Sequence, residues 1–390
     1  MSARRQRLRL TLLRAFAALS SPFRLRRLSP LSEAPRILLM RPDHIGDLLF
    51  ATPAFRLLRR AFPQGHLTCM VGPWGRSVVQ GNACLDEIIT CEFPGFTRQP
   101  QGSLLAPYGT LWEWAGRLRA LRFDAAVVLR FDHWWGALLA YLAAIPRRVG
   151  FAIPECEPFL TQAVPYVRRR HEVQQNVALI EHLLRETGQG VPEGPWPLEF
   201  TVTEQDQEYV ANYLAERGLT AAHEVIAIHP GAGSPVKLWR PEAWAEVADA
   251  LIGRWPVQFV LTGSRGELDL AWSVYARMHS EAIVAAGDTT LGQLAALFQR
   301  CRLVMGPDCG PLHLAVATGT PTVHLYGPVD VAKFGPWGDP QKHRVLTSDW
   351  ECIPCDRLDY SPKELLSHPC VRDITAEAVL EAAEAQLGRA

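Results

Sequence analysis

The side chains able to do chemistry gather where an apolar run gives way to glycine and proline. The plainest case is Leu303 to Pro328, LVMGPDCGPLHLAVATGTPTVHLYGP. Leu303 to Met305 has the length and bounding of a buried strand. Gly306-Pro307-Asp308-Cys309-Gly310 then makes a tight turn, and Pro311 stands where a first helical residue would. A short apolar helix through Leu312, Leu314, Ala315 and Val316 stops near Gly319, and Pro321 to Leu325 supplies another strand. This is a βαβ unit, whose crossover is expected to be right-handed. Its turn falls at the carboxyl end of a strand, where open α/β sheets bind ligands. Free N–H groups at the helix start favour an anion. Gly310 permits close backbone approach and His313 can add a donor. Taken alone, the segment fits an anion site and a plain turn equally well.

Two earlier strand ends have the same character. Val225 to Ile228 ends in His229-Pro230-Gly231-Ala232-Gly233-Ser234, with Lys237, Trp239 and Arg240 before a helix from Pro241. Val257 to Leu261 ends in Thr262-Gly263-Ser264-Arg265-Gly266-Glu267. A short strand, Ile283 to Ala285, ends at Gly287-Asp288, and an amphipathic helix, Leu291 to Gln299, leads into the Leu303 stretch. Small residues plus a charge at successive strand ends describe a phosphate-and-ribose pocket built from loops. Neither GxxxxGK[ST] nor GxGxxG is present.

The N-terminal half alternates in the same way. Arg36 to Met40 is a strand, Arg41 to Gly46 a loop, and a helix is expected from Asp47 to about Phe62. Leu48, Leu49, Phe55, Leu58 and Phe62 line its buried side. Asp47 read by itself is a helix N-cap, a site carboxylate, or both. Strands follow at Leu67 to Val71, Glu87 to Cys91 and Asp124 to Leu129. The stretch Phe93 to Tyr108, rich in Gly and Pro, reads as an exposed, mobile loop. Phe131-Asp132-His133-Trp134-Trp135-Gly136 follows a strand end, a functional address, although ordinary packing accounts for one of the two Trp. Arg147-Arg148-Val149-Gly150-Phe151 sets cations beside a strand, and a helix from Glu172 to Thr187 closes this half. Gly188 to Pro197, GQGVPEGPWP, reads as an interdomain linker.

A length of 390 residues allows two to three domains. With 48% hydrophobic and 21% charged residues the chain is a folded globular one. Forty basic and forty acidic side chains give no bulk charge for a nucleic-acid partner. The charge is uneven, however: residues 1–30 hold eight Arg and no acid, mixed with Leu8, Leu10, Leu12, Leu13, Phe16 and Leu19. Arg14 breaks any signal-peptide apolar core, and no apolar run is long enough to span a bilayer. A basic amphipathic segment on an anionic membrane surface fits, as does a solvated tail. Nine Cys in such a length do not form a disulfide framework. Cys352-x-x-Cys355 with His368 and Cys370 has one zinc-like pair; a structural clip or no metal fits better than a catalytic metal.

The ordered set of motifs resembles glycosyltransferase family 9, the bacterial heptosyltransferases of lipopolysaccharide core synthesis. The matching pieces are Arg36-Ile-Leu-Leu-Met-Arg-Pro-Asp-His-Ile-Gly-Asp47, Arg148-Val-Gly-Phe151, His229-Pro-Gly-Ala-Gly233 with Lys237-Leu-Trp239, Asp308-Cys-Gly-Pro-Leu-His313, and Leu325-Tyr-Gly-Pro328. The resemblance covers about residues 35–385. It implies an α/β GT-B fold, two Rossmann-like domains facing a central cleft. The layout is then a basic extension at 1–34, an acceptor domain at 35–190 and a nucleotide-sugar domain at 191–372. A C-terminal helix at 373–390, capped in sequence from Thr375, is expected to pack back toward the N-terminal domain.

By the same resemblance the reaction is inverting, metal-independent transfer of a heptose from a nucleotide sugar, ADP-heptose, to a lipopolysaccharide core or related lipid-linked glycan. The enzyme would work at the cytoplasmic face of the bacterial inner membrane, with the nucleotide sugar as substrate and no cofactor. Asp47 matches the general base and Lys237 the lysine that neutralises the donor diphosphate. Gly233, Ser234, Glu267, Asp308, Cys309, Gly310 and His313 fall on the donor-binding positions, with Glu267 the match to the acidic residue that holds the ribose and Asp269 close by as the alternative. Cys309 stands where the family usually has Thr or Ser, which removes a hydroxyl from the phosphate turn. His44, His133, Trp134 and Arg148 are the acceptor candidates, and the His133-Trp134-Trp135-Gly136 loop departs from the family's usual Gln-Gly. The alternatives are a nucleotide-sugar epimerase or hydrolase of the same architecture, which would consume donor without acceptor, and a non-catalytic surface carbohydrate-binding protein, which would bind glycan without nucleotide.

Overall fold

The computed structural model describes residues 3–19, 30–97 and 106–388. It falls into two compact units: described residues up to His44 with Phe50–Trp196, and Ile45–Leu49 with the described residues from Pro197 onward. The break lies inside the Gly188–Pro197 linker.

In the first unit six parallel strands form one sheet: β1 (Arg36–Arg41), β2 (His66–Val71), β3 (Glu87–Thr90), β4 (Ala125–Val128), β5 (Arg147–Phe151) and β6 (Gln162–Val164). Their order is β3-β2-β1-β4-β5-β6. β1 is buried from Ile37 to Arg41, as expected of a central strand covered on both faces. Its register pairs Leu38 with Thr68 on one side and with Ala126 on the other.

The second unit repeats the plan with β7 (Glu224–Ile228), β8 (Val257–Leu261), β9 (Ala282–Val284), β10 (Leu303–Pro307), β11 (Thr322–Leu325) and β12 (His343–Leu346). The order β12-β11-β10-β7-β8-β9 is the same one read from the other edge. Both sheets therefore reverse direction between their first and fourth strands, and ligands of such sheets bind in the crevice at that switch point.

Several expectations are corrected. The helix from Asp47 to Phe62 is two helices, Ile45–Leu49 and Thr52–Ala61. Pro53 has no N–H to give to Leu49, so the ladder breaks there. Asp47 lies within the first turn and is not the cap. Of the loop expected at Phe93–Tyr108, residues 98–105 lie outside the described residues, and a helix already starts at Ala106. The terminal helix, Ala376–Leu387, belongs to the second unit's core: Val379, Ala383 and Leu387 pack with Trp244 and Leu251 of helix Pro241–Arg254, and Thr375 caps it.

The basic extension forms a helix, Ala3–Leu19. Leu13 and Ala17 are buried in the first unit's core. Phe16 stacks edge-on to Tyr141 at 6.4 Å and lies 6.5 Å from Phe159. Part of the apolar side expected to meet lipid is thus used internally, while Leu12 is 61% exposed. Residues 1–2 and 20–29 of the basic segment lie outside the described residues. No described helix is long and apolar enough to cross a membrane.

Candidate active site

The site is built on the switch point of the second sheet. β7 ends at Ile228, and the turn after it brings Lys237, closing the short helical turn Pro235–Lys237, over the end of β10. There Lys237 Nζ donates to Asp308 Oδ2 at 2.6 Å. Asp308 is almost fully buried, and its backbone N–H donates to the Leu325 carbonyl. Burial alone would push its carboxyl up; His313 and Lys237 hold it down at about 2. It stays ionised at neutral pH and keeps a cation facing it.

His313 is buried, with Nε2 at 3.7 Å from Asp308 Oδ1, so it supports the carboxylate from within the fold. Tyr326 is fully buried beside the same carboxylate, and its hydroxyl donates to the Phe334 carbonyl at 2.7 Å. Burial, with the Asp308 charge added, raises that phenol well above its usual range. Cys309 precedes helix Gly310–Ala317, and burial keeps its thiol protonated.

The glycines here allow close approach of chain to chain. A Cβ on Gly310 would stand 2.8 Å from Cβ of Ile45, and one on Gly46 would stand 3.1 Å from Cδ2 of His313. Helix Ile45–Leu49 therefore packs on the start of helix Gly310–Ala317, and Asp47, half-buried, follows Gly46 directly. The sequence had suggested that Gly310 makes room for a ligand; the room is filled by Ile45.

The β8 loop completes this face. Glu267 Oε2 accepts from the Ser264 N–H at 2.8 Å and from the Ser264 hydroxyl at 2.7 Å. Its other oxygen lies so close to Gly231 that a side chain there would collide with it. His229 Nδ1 meets the Thr262 hydroxyl at 3.0 Å, and burial lowers its pKa to about 4 against the opposing pull of Glu267. Gly233 borders a groove of about 560 Å³ with Pro235, Arg357 and Asp359. Ser234 donates its hydroxyl to the Leu358 carbonyl at 2.7 Å and so serves the loop itself. Lys237, Glu267, Asp308, Gly310 and His313 are brought together as the sequence had grouped them.

The acceptor candidates fare differently. His44 is exposed, its ring 5.6 Å from that of Trp74. Trp134 is half-buried at the first position of helix Trp134–Leu142, and Trp135 is core. His133 is buried among Phe93, Phe96 and Trp135, and that burial drives its pKa down to about 3. Arg148 is buried as well: Nε donates to the Phe159 carbonyl at 2.7 Å, and Nη1 donates to Ile145 and Pro146 carbonyls. Arg148 is thus tied to three main-chain carbonyls, whereas His133 is held by ring contacts, with no hydrogen bond to either ring nitrogen.

At the first sheet's switch point stands a network the sequence reading missed. Asp43, buried after β1, sits between Arg41 (Nε to Oδ2, 2.7 Å) and Arg130 after β4. Burial would raise its pKa, and the two guanidinium groups bring it below the usual value. Arg41 also donates to the Leu129 carbonyl at 3.0 Å, to Asn176 at 3.1 Å and to Glu172 at 3.3 Å. The available signal was an Arg ending an otherwise apolar strand, since a buried charge must be paired. Among the described residues no group of three or more His, Cys, Asp or Glu side chains could hold a metal. Cys352 and Cys355 are exposed and Cys370 is buried.

The family model described as "Glycosyltransferase family 9 (heptosyltransferase)" matches residues 111–363. Lipopolysaccharide heptosyltransferase 2 of Escherichia coli (strain K12) is 27% identical over 306 residues, 75% of this chain and 83% of that protein. The crystal structure of a family 9 glycosyl transferase from Veillonella parvula superposes with a TM-score of 0.78 at 26% identity, covering 93% of this chain and all of the other. That of E. coli ADP-heptose lps heptosyltransferase II gives 0.71 at 25% identity, covering 91% and 99%. The fold, two six-stranded parallel sheets, is of the GT-B type. A match over more than half the chain makes this protein a member of glycosyltransferase family 9, the heptosyltransferase family.

Proposed function

We propose that this enzyme moves a heptose from ADP-heptose onto a lipopolysaccharide core or related lipid-linked glycan, with inversion at the transferred carbon and without a metal. The observation that carries the reading is the Lys237–Asp308 pair at the second sheet's switch point, next to the start of helix Gly310–Ala317. The donor assignment draws on the E. coli relative named for ADP-heptose.

In this mechanism the acceptor oxygen bonds to the anomeric carbon as the bond from that carbon to the diphosphate oxygen breaks. The bonding pair leaves with ADP. Lys237 turns from Asp308 to the diphosphate, whose larger charge outcompetes one carboxylate. Together with helix N–H groups it stabilises charge that grows only as the bond breaks. Asp47 takes the acceptor proton. Glu267 holds the ribose hydroxyls, and its capping of Ser264 fixes the carboxylate in place.

Asp47→Asn tests the base: turnover should fall by roughly a hundredfold or more while donor affinity holds. Near-normal turnover would overturn the assignment. Turnover abolished by a chelator and restored by magnesium would overturn the metal-free route.

We further place the N-terminal segment on the anionic cytoplasmic surface of the inner membrane. Its arginines each contribute about 1 kcal/mol of attraction near such a surface, and Leu12 offers an exposed apolar anchor. Because Leu13 and Ala17 are core residues, the test is substitution and not deletion. Arg4, Arg5, Arg7 and Arg9 changed together to Gln should release the enzyme from phosphatidylglycerol vesicles at low salt. Unchanged co-sedimentation would leave the segment a structural helix only.

A further inference from the structure

The Cys352-Ile353-Pro354-Cys355 turn stands apart from the residues assigned to transfer. Among the described residues, Cys352 and Cys355 are the exposed cysteines, and the other free thiols are buried. Burial pushes Cys69, Cys91 and Cys301 up to about 12, which keeps them protonated and inert. Cys370 is shut in as well: a Cβ on Gly327 would stand 2.7 Å from its Sγ. An oxidant in solution therefore meets two thiols three residues apart. At that spacing one cysteine can attack and the other resolve.

The surroundings favour this reaction and carry it to the groove beside Gly233. Cys355 Sγ lies 3.5 Å from the Tyr360 hydroxyl, which can donate to a thiolate there. The Arg357 guanidinium sits over the Tyr360 ring at 4.2 Å and donates to Glu364 Oε1 at 2.7 Å. Directly after Cys355 the chain is fastened at two points. The Asp356 N–H donates to the Pro328 carbonyl at 2.7 Å, and the Leu358 carbonyl accepts from the Ser234 hydroxyl at 2.7 Å. Residues 356–359 line the groove of about 560 Å³ opposite Gly233, Ser234 and Pro235. Asp356 holds a left-handed φ of +55°, which costs energy outside glycine. Its link to Pro328 is therefore the one that a pull on Cys355 releases first.

We propose that Cys352 and Cys355 close a reversible disulfide, and that closing it loosens the 356–359 wall and weakens nucleotide binding. The Cys355 thiolate attacks one sulfur of a small-molecule disulfide, oxidised glutathione, and one glutathione thiolate leaves. The Cys352 thiolate then attacks Cys355 Sγ of the mixed disulfide and expels the second glutathione. The two cysteines lose two protons and two electrons, and the oxidised glutathione is reduced to two thiols. Cys355 Sγ turns from Tyr360 toward Cys352 and pulls on Asp356. The effect on nucleotide rests on the glycosyltransferase reading above; the disulfide does not.

The full-length protein is equilibrated in reduced and in oxidised glutathione buffers. Oxidation should remove the mass of two hydrogens from tryptic peptide 345–357, which holds both cysteines, and dithiothreitol should restore it. ADP affinity by calorimetry should fall about fivefold or more, the worth of one lost hydrogen bond. C352S/C355S should bind ADP like the reduced protein in both buffers, and C352S should stop at a stable glutathione adduct on Cys355. No mass loss, or an adduct in wild type that never closes, would overturn the disulfide. A closed disulfide with unchanged ADP affinity, or an equal fall in C352S/C355S, would overturn its hold on the groove. If reduced wild type binds no ADP, the functional reading has failed. Hydrogen exchange of residues 353–361 then decides the proposal: faster exchange in the oxidised protein supports it, and equal exchange overturns it.

Discussion

The two sheets order their strands identically, yet their switch points hold charge in opposite ways. In the first, Asp43 is clasped by Arg41 and Arg130, and Arg41 is further tied to Glu172, Asn176 and a main-chain carbonyl. Arg41 is only 2% exposed. In the second, Asp308 faces one lysine on a short helical turn, and that lysine keeps 16% of its side chain exposed. A guanidinium held by many fixed partners is a strut. An ammonium on a flexible stem, with one carboxylate partner, can be handed to an incoming anion. One topology thus carries a densely tied guanidinium in one unit and a singly paired, partly exposed ammonium in the other.

The largest expected effect lies on the exchangeable side. Lys237→Ala should lower turnover by about a hundred- to a thousandfold, the range for removing a group aimed at developing charge. It should also weaken ADP binding measured by calorimetry. Unchanged ADP affinity would mean that this pair, too, is only structural. Asp43→Asn should instead act on folding. It leaves Arg41 buried without its nearest counter-charge, at a cost of about 3 kcal/mol or more in denaturant titration. If stability is normal and only turnover falls, the network belongs to the chemistry and the contrast collapses.

Acid should separate the units more gently. Among the described residues, burial lowers His229 and His343 to about 4 and holds His324 well below its usual range in the second unit, but lowers only His133, to about 3, in the first. A histidine whose folded pKa lies below its unfolded value near 6.5 binds its proton more readily when unfolded. Stability is therefore lost as pH falls from about 6.5 toward the folded pKa, by about 1.4 kcal/mol per pH unit for each such group. Three such groups against one predict that hydrogen-exchange protection fades first in β7 and β10, between pH 6 and 4, and later in β1 and β4. Equal loss in both sheets would remove this distinction.

Sequence alone determined the alternation of strands and helices, because apolar runs bounded by glycine and proline are local signals. It also placed Lys237, Glu267, Asp308 and His313 together, since loops at strand ends of such a sheet must share one edge. The broken helix at Pro53 was legible too, as a proline inside an expected helix. What the tertiary structure alone decided was which charges are buried. Nothing local in the sequence tells that Phe93 and Phe96 bury His133, or that Arg148 reaches the Phe159 carbonyl. The Arg41–Asp43 pair gains Arg130, Asn176 and Glu172, all distant in the chain, only in the folded unit. Burial and pairing depend on contacts between residues far apart in the chain, and local composition carries no record of them.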